Sequence, residues 1–294
     1  CVGGSFGGKN TLVAEAPAVA LARFCGGRPV RVERSREEDL AASQMRMPAI
    51  SRLTTGVGRD GTLLARKAEI LWDGGAYASN AVGIAIRGPK AVFGPYRIPH
   101  IAYESRMVYS NKQPTGSYRG YGTTQAAWAC ESHMDEIAAR RGRDPVAFRL
   151  QNAYGEGDPW HNGQILHGMA IAETIDRVSR EIGWGQVPAA GAPHLRRGKG
   201  IATMMKETAT PSSSNVVLQL QQDGELRVLC AAPEIGAGQT TVLAQMAAEA
   251  VGVSLDWVSL PATDTAVSPY NGPVGSSRTT FHVGNAICAA GEDL

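Results

Sequence analysis

Four polar, glycine-rich loops, each running toward a helical stretch, constrain this chain more than any other feature. They are Gly3-Gly4-Ser5-Phe6-Gly7-Gly8-Lys9-Asn10 before residues 12–24, and Thr115-Gly116-Ser117-Tyr118-Arg119-Gly120-Tyr121-Gly122-Thr123-Thr124 before residues 125–141. The other two are Glu234-Ile235-Gly236-Ala237-Gly238-Gln239-Thr240 before 242–251, and Gly272-Pro273-Val274-Gly275-Ser276-Ser277-Arg278-Thr279-Thr280 before 282–290. A helix start offers unpaired N–H donors and a positive partial charge, and glycine lets the backbone approach a ligand closely. Phosphate, oxo or carboxylate groups suit such ends, so four of them imply convergence on one large anionic ligand. In the second loop a guanidinium and an aromatic ring join the amides on one turn. Taken singly, each loop also reads as an ordinary helix entry.

The strongest rival reading of the first loop is a phosphate-binding P-loop, because Gly3, four residues, Gly8 and Lys9 fit its spacing. That motif needs Ser or Thr next, to place a hydroxyl on magnesium, and Asn10 stands there instead. No apolar strand ending in a magnesium-binding carboxylate follows.

The layout is mixed. Alternating residues 50–57 and 62–72 flank Asp60-Gly61, and 215–222 and 225–231 flank Asp223-Gly224, which predicts two β-hairpins. Helices are expected at 12–24, 125–141, 146–152, 171–182, 242–251 and 282–290, and further strands at 30–33, 101–110, 200–206 and 255–260. The fold class is therefore α+β (mixed α/β), with hairpin-containing sheets and glycine-rich loops feeding helices. A shift toward Gly, Pro and polar residues between 154 and 198 suggests two subdomains, 1–155 and 156–294, with a ligand drawing on both.

At 294 residues with 43% hydrophobic and 19% charged residues, the chain reads as an ordinary globular protein. A net charge of +2 without a basic stripe gives no sign of nucleic-acid binding, and residues 31–39 mix both signs as a solvated face. No apolar run is long enough to span a bilayer. The five cysteines are scattered without metal spacing, as expected of small buried residues in a reducing compartment, so the expected location is cytoplasmic and no iron-sulfur centre is expected in the chain. The six histidines form no ligand motif. Glu131 and Asp135 lie four apart on one helical face, where like charges repel, so each is expected to have its own cationic partner. The chain opens with Cys1 directly on a glycine loop, and is expected to be an internal piece of a longer polypeptide.

In order and spacing the loops resemble the molybdenum-cofactor-binding subunit of the xanthine dehydrogenase and aldehyde oxidase family, the molybdenum hydroxylases. The resemblance rests on Gly4-Ser5-Phe6-Gly7-Gly8-Lys9, Gly94-Pro95-Tyr96-Arg97-Ile98-Pro99, and Tyr118-Arg119-Gly120-Tyr121-Gly122 with Gln125, Glu131, Met134 and Asp135. It continues through Asp144-Pro145 with Arg149 and Asn152, Glu234-Ile235-Gly236-Ala237-Gly238, and Gly275-Ser276-Ser277-Arg278. It spans nearly the whole chain.

The resemblance implies a molybdenum-molybdopterin cofactor, in its simple or cytosine dinucleotide form, with the metal held by the pterin rather than by protein ligands. It places Phe6 and Gly7 beside the metal, Arg119 close to it, Tyr121 flanking the substrate, and Asn10 at a substrate-contacting position. Gly236, Ala237, Gly238, Gln239 and Thr240, with Gly275, Ser276, Ser277, Arg278 and Thr279, resemble the segments that cradle the pterin and its phosphate. Ala237 departs from the glutamine common in the family. Glu131 and Asp135 are structural in the family. Its general base is a glutamate of a Gly-Glu motif well beyond the metal-binding loops, which has no counterpart here.

The implied activity is hydroxylation, with water as oxygen source, of an aldehyde or an electron-poor (hetero)aromatic carbon. Iron-sulfur and FAD modules are expected only on partner subunits or domains, alongside the rest of the molybdenum subunit and a small-molecule substrate; the fragment alone is expected to be inactive. Purine-oxidising members carry glutamate after Gly-Gly-Lys where Asn10 stands, so purines are expected to be poor substrates. The cysteine-bearing loop of the carbon monoxide subgroup is absent. A non-catalytic cofactor-binding scaffold subunit is the alternative, with a P-loop-like phosphate binder further behind.

Overall fold

The computed structural model describes residues 2–186, 191, 192, 194–206 and 212–294. Cys1, and residues 187–190 and 193 of the compositionally shifted stretch, lie outside the described residues. The rest gathers into two compact units, residues 11–206 and residues 1–10 with 207–294. The fold is α+β.

The unit of residues 11–206 opens with α1 (Glu15–Phe24) and α2 (Arg36–Ala42), neither of which buries a residue. Four residues separate the first glycine loop from α1, so that loop does not open directly on a helix. A capping box starts α2: Ser35 Oγ accepts from the Glu38 amide, and the Glu38 carboxylate accepts from the Ser35 amide. Residues 30–33 form no strand.

The chain continues through β1 (Met45–Arg46), β2 (Ala49–Val57), β3 (Leu63–Asp73), α3 (Ala81–Arg87), a 3₁₀ segment Gly88–Phe93, β4 (His100–Val108) and β5 (Thr115–Gly116). The expected first hairpin is β2 and β3, antiparallel from Ala49 opposite Trp72 to Val57 opposite Leu63. Asp60 fixes its turn by accepting from the Thr62 amide and hydroxyl. Strand β4 then pairs parallel to β3, and β1 pairs parallel to β5. Alternate residues of β3 face inward, so Arg66, Ala68, Ile70 and Trp72 are all buried. Over them pack Val92, Phe93 and the buried side of α4 (Thr123–Arg140), including Ala126, Cys130 and Met134. Arg66 is tolerated in this apolar layer because its guanidinium donates to Thr55 Oγ1, the Val92 carbonyl and two sulfur atoms. Helices α5 (Pro145–Asn152) and α6 (Ile171–Glu181) pack beside it, with Val146, Ala153 and Ile175 as a smaller core. Residues 200–206, expected as a strand, form none.

In the other unit β6 (Val217–Leu220) and β7 (Leu226–Leu229) form the second hairpin, shorter than its sequence pattern. Helix α7 (Gln239–Val251), strand β8 (Val258–Ser259), a single π-turn Thr279–Val283 and α8 (Gly284–Asp293) complete it. Strand β8 runs parallel to β7, and the core joins Leu226 and Val228 to Leu243, Ala247, Val283 and Ile287.

Candidate molybdopterin-binding site

Left-handed backbone at non-glycine residues is concentrated in the glycine loops. Among the described residues five non-glycine positions have positive φ: Phe6 at 52°, Ser79 at 41°, Tyr121 at 52°, Ser276 at 54° and Ser277 at 58°. Four of these five lie in the loops singled out by sequence. Such backbone costs about 1–3 kcal/mol per residue and persists only where the surroundings enforce it.

Three of the loops belong to the unit of residues 1–10 with 207–294, and they are joined there. The Gly4 amide donates to the Ile235 carbonyl at 2.6 Å. A Cβ on Gly236 would stand 2.5 Å from the Gly4 nitrogen, so close backbone contact requires glycine at 236, where φ is +97°. Asn271, at the head of the last loop, donates through Nδ2 to the Ala231 carbonyl at 2.9 Å. The loops thus stand on neighbouring stretches of backbone beyond the end of β7.

Within the last loop Arg278 is only 1% exposed. Its guanidinium makes five hydrogen bonds, to Ser212 Oγ, Asn271 Oδ1, the Gly272 and Ser213 carbonyls and Ser214 Oγ. Every donor of the fork is used, and every acceptor is neutral. The guanidinium lies against Gly272, where an added Cβ would stand 3.3 Å from Arg278 Cζ, and is buried rather than projecting outward. Next to it the π-turn buries His282 Nε2 without a hydrogen-bond partner.

The third loop is closed on itself by Glu234. Its Oε1 accepts from the amides of Gly236, Ala237 and Gly238 at 2.6, 2.7 and 3.1 Å, and Oε2 accepts from Thr240 at 3.3 Å. The Gln239 side chain is buried and folds back too, donating to the Pro233 carbonyl and accepting from the Ile235 amide. The sequence reading places Glu234 at the head of this loop but assigns it no role of its own. The signal was present, since a carboxylate two residues ahead of Gly-Ala-Gly is in reach of successive amides.

The Arg119 turn belongs to the unit of residues 11–206. Asn80 Oδ1 accepts from the Ser117 amide, Gln44 Nε2 donates to the Ser117 carbonyl and Arg46 donates to the Arg119 carbonyl. The Arg46 guanidinium lies 4.9 Å from the centre of the Tyr118 ring. Gly122 caps α4 at φ +86°, where a Cβ would stand 2.7 Å from Ile84 Cγ2 and 3.1 Å from the Gly88 Cα. Arg119 itself is exposed. Tyr121 is half-buried against the core and lies on α3, where a Cβ on Gly83 would meet its hydroxyl. Beside this turn, Arg46, Thr124, Gln125, Trp128 and His133 help line a groove of about 570 Å³ between β2 and α4, which the sequence did not announce.

Glu131 and Asp135 are not partners of Arg119, and they do not have a cation each. Both pair with Arg149, at 2.9 and 2.7 Å. Glu131 also accepts from the Tyr96 hydroxyl and the Thr203 amide. Burial, reinforced by the Glu131 charge, pushes the Tyr96 phenol far above its usual range. Of the four described cysteines Cys130 and Cys230 are buried, as expected, but Cys25 and Cys288 are exposed.

Two family models match the chain, both described as a molybdopterin cofactor-binding domain, over residues 1–153 and 177–294. The chain belongs to the molybdopterin cofactor-binding family. It is 35% identical to the xanthine dehydrogenase molybdenum-binding subunit of Escherichia coli O157:H7, over 98% of this chain and 40% of that protein. It is 31% identical to the aldehyde oxidoreductase of Megalodesulfovibrio gigas, over all of this chain and 33% of that one. The solved aldehyde oxidoreductase of Desulfovibrio desulfuricans ATCC 27774 superposes with a TM-score of 0.88 at 27% identity, covering all of this chain and 33% of its own. The chain thus spans 33–40% of the length of these relatives. Among the described residues no helix is long and apolar enough to cross a membrane.

The residues of the molybdopterin-binding family member fit such a cofactor. At Gly3, Gly238 and Gly275 even a Cβ would meet nothing within 4 Å, so backbone there faces open space. The orphaned His282 Nε2 adds a polar group in need of a partner. Among the described residues no group of three or more His, Cys, Asp or Glu side chains could hold a metal ion.

Proposed function

We propose that this chain is the cofactor-binding part of a molybdenum hydroxylase, which oxidises an aldehyde or an electron-poor (hetero)aromatic carbon and takes its oxygen from water. The observation that carries this reading is the joining of three glycine loops in one unit, with enforced left-handed backbone at Phe6, Ser276 and Ser277. Identity to both xanthine dehydrogenase and aldehyde oxidoreductase subunits supports it.

In this reading the bound cofactor supplies two-electron redox chemistry at molybdenum. Phe6 and Gly7 flank the metal end, Gly7 at φ +89° allowing close backbone approach. Gly236, Ala237, Gly238, Gln239 and Thr240 form one wall of the pterin seat, and Gly275, Ser276, Ser277, Arg278 and Thr279 the other. Arg119 offers an always-charged planar donor fork to anionic groups around the metal. Tyr121 holds the turn through its packing on α3 and presents its remaining ring edge to the substrate, and Asn10 contacts the substrate as a neutral amide. Iron-sulfur and FAD modules of the same enzyme take the electrons onward, in a cytoplasmic assembly. Molybdenum and pterin analysis of the purified full-length protein tests the reading. About one molybdenum per chain is expected from its assignment as a resident catalytic centre; a protein that contains none after expression with an active pterin supply refutes it.

A further inference from the structure

The amides of Gly236, Ala237, Gly238 and Thr240 resemble a phosphate seat, yet in this chain they already hold an anion. Each N–H carries one proton, and the Glu234 carboxylate takes all four. A second anion on the same donors would sit against that carboxylate, and the tether keeps Glu234 at high local concentration. The Gln239 side chain takes the Ile235 amide as well. The turn therefore satisfies itself. Positive φ at Gly236 and Gly238 aims the amides at one oxygen, a conformation that side-chain-bearing residues resist.

This self-satisfied turn carries the first glycine loop. The Ile235 carbonyl accepts from Gly4, and the bare Gly236 α-carbon presses on the Gly4 backbone. The last loop is built in the opposite sense. Its serines at 276 and 277 are left-handed and precede Arg278, whose buried guanidinium donates to neutral acceptors and pairs with no carboxylate among the described residues.

We propose that Glu234 is a positioning residue: its carboxylate pre-forms the turn at 236–240 and thereby seats the loop at 3–8, so an anionic group of the cofactor meets amides that are already taken. Glu234 stays in place when the cofactor binds. Its acidity agrees with that role. Partial desolvation raises the carboxyl, but the amides of Gly236, Thr240, Gly238 and Ala237 outweigh it and hold it below the usual glutamate range. The consequence for loading rests on the cofactor-binding reading above; the pre-forming of the turn does not.

Amide hydrogen exchange on the full-length protein, with and without molybdopterin, tests both parts. Without cofactor, the amides of Gly236, Ala237, Gly238 and Thr240 are expected to exchange slowly, and about tenfold or more faster in Glu234→Gln, whose amide nitrogen cannot accept and which lacks the charge. On loading, protection at these four amides stays as it was, and Glu234→Gln retains about tenfold less pterin through repeated dilution. Loss of protection at 236–238 on loading would show Glu234 displaced by the phosphate and overturn the proposal. Wild-type pterin retention in Glu234→Gln would overturn it too. Should that variant not fold, the loaded and unloaded wild type alone decide between a fixed and a displaced carboxylate. A wild type that takes up no pterin refutes the functional reading, while its exchange pattern still decides whether Glu234 forms the turn.

Discussion

Arg149 is fully buried, and its guanidinium is shared by the 5%-exposed Glu131 and the half-exposed Asp135. Removing one partner from such a pair leaves an uncompensated interior charge, which costs more than the pair gains. Arg149→Met is therefore expected to lower stability by about 3–5 kcal/mol, read as a shift in urea midpoint at constant slope. The double variant Glu131→Leu, Arg149→Met recovers part of that loss; equal loss in both would mean the cost lies in packing alone. The sequence put both carboxylates on one face of α4 and marked Arg149 as belonging to the same pattern, but not that one guanidinium serves both. Periodicity reports neighbours along a helix, whereas this pairing depends on how α5 lies against α4. Glu234 was read as part of its loop without a role of its own for a related reason: with glycines beside it, a carboxylate reads as turn polarity until backbone directions are known. Arg278 was legible as important, yet its burial against Asn271 and residues 212–214 followed only from tertiary contacts.

At the level of elements, helices with a clear stop or cap were legible within a few residues. Asp144, expected to precede a helix at 146–152, caps α5 by accepting from the Ala147 amide. The helical pair α3 and Gly88–Phe93 was not anticipated, because Gly83, Gly88 and Pro89 argue against helix and only the crossover from β3 to parallel β4 orders them. Residues 30–33 and 200–206 pair with no strand among the described residues, and a strand without a ladder is not stable. The end of β3 carries a titratable clamp. Asp73 accepts from Lys112 Nζ, Ser110 Oγ and the Gly75 amide, and these lower its pKa to about 2. Because the folded value lies below the unfolded one of about 3.9, its stabilisation is complete above pH ~4 and is lost as pH falls toward 2. Asp73→Asn is expected to flatten that part of the stability curve between pH 4 and 2; an unchanged slope would place the acid sensitivity elsewhere.

For the molecule as a whole, family and cofactor class were legible because glycine loops report backbone demands directly, whereas substrate choice depends on a few side chains. Asn10 is exposed and neutral, and the resemblance implies that it stands where purine-oxidising members carry glutamate. A buried charge-assisted hydrogen bond contributes about 1.5–3 kcal/mol, so its absence is expected to lower purine turnover roughly ten- to a hundredfold relative to an enzyme that makes it. On the full-length enzyme kcat/KM for an aromatic aldehyde should exceed that for xanthine, and the reverse order would sink the assignment of Asn10. The pairing of Gly4 with Ile235 also sets a timetable for folding. In the unfolded chain it closes a loop of about 230 residues, an entropic cost on the order of 5 kcal/mol, whereas the β2–β3 hairpin closes over a turn of a few residues. Pulse-labelling during refolding should find β2 and β3 protected early and the Gly4 amide among the last, so the cofactor seat is completed only after the 11–206 sheet exists.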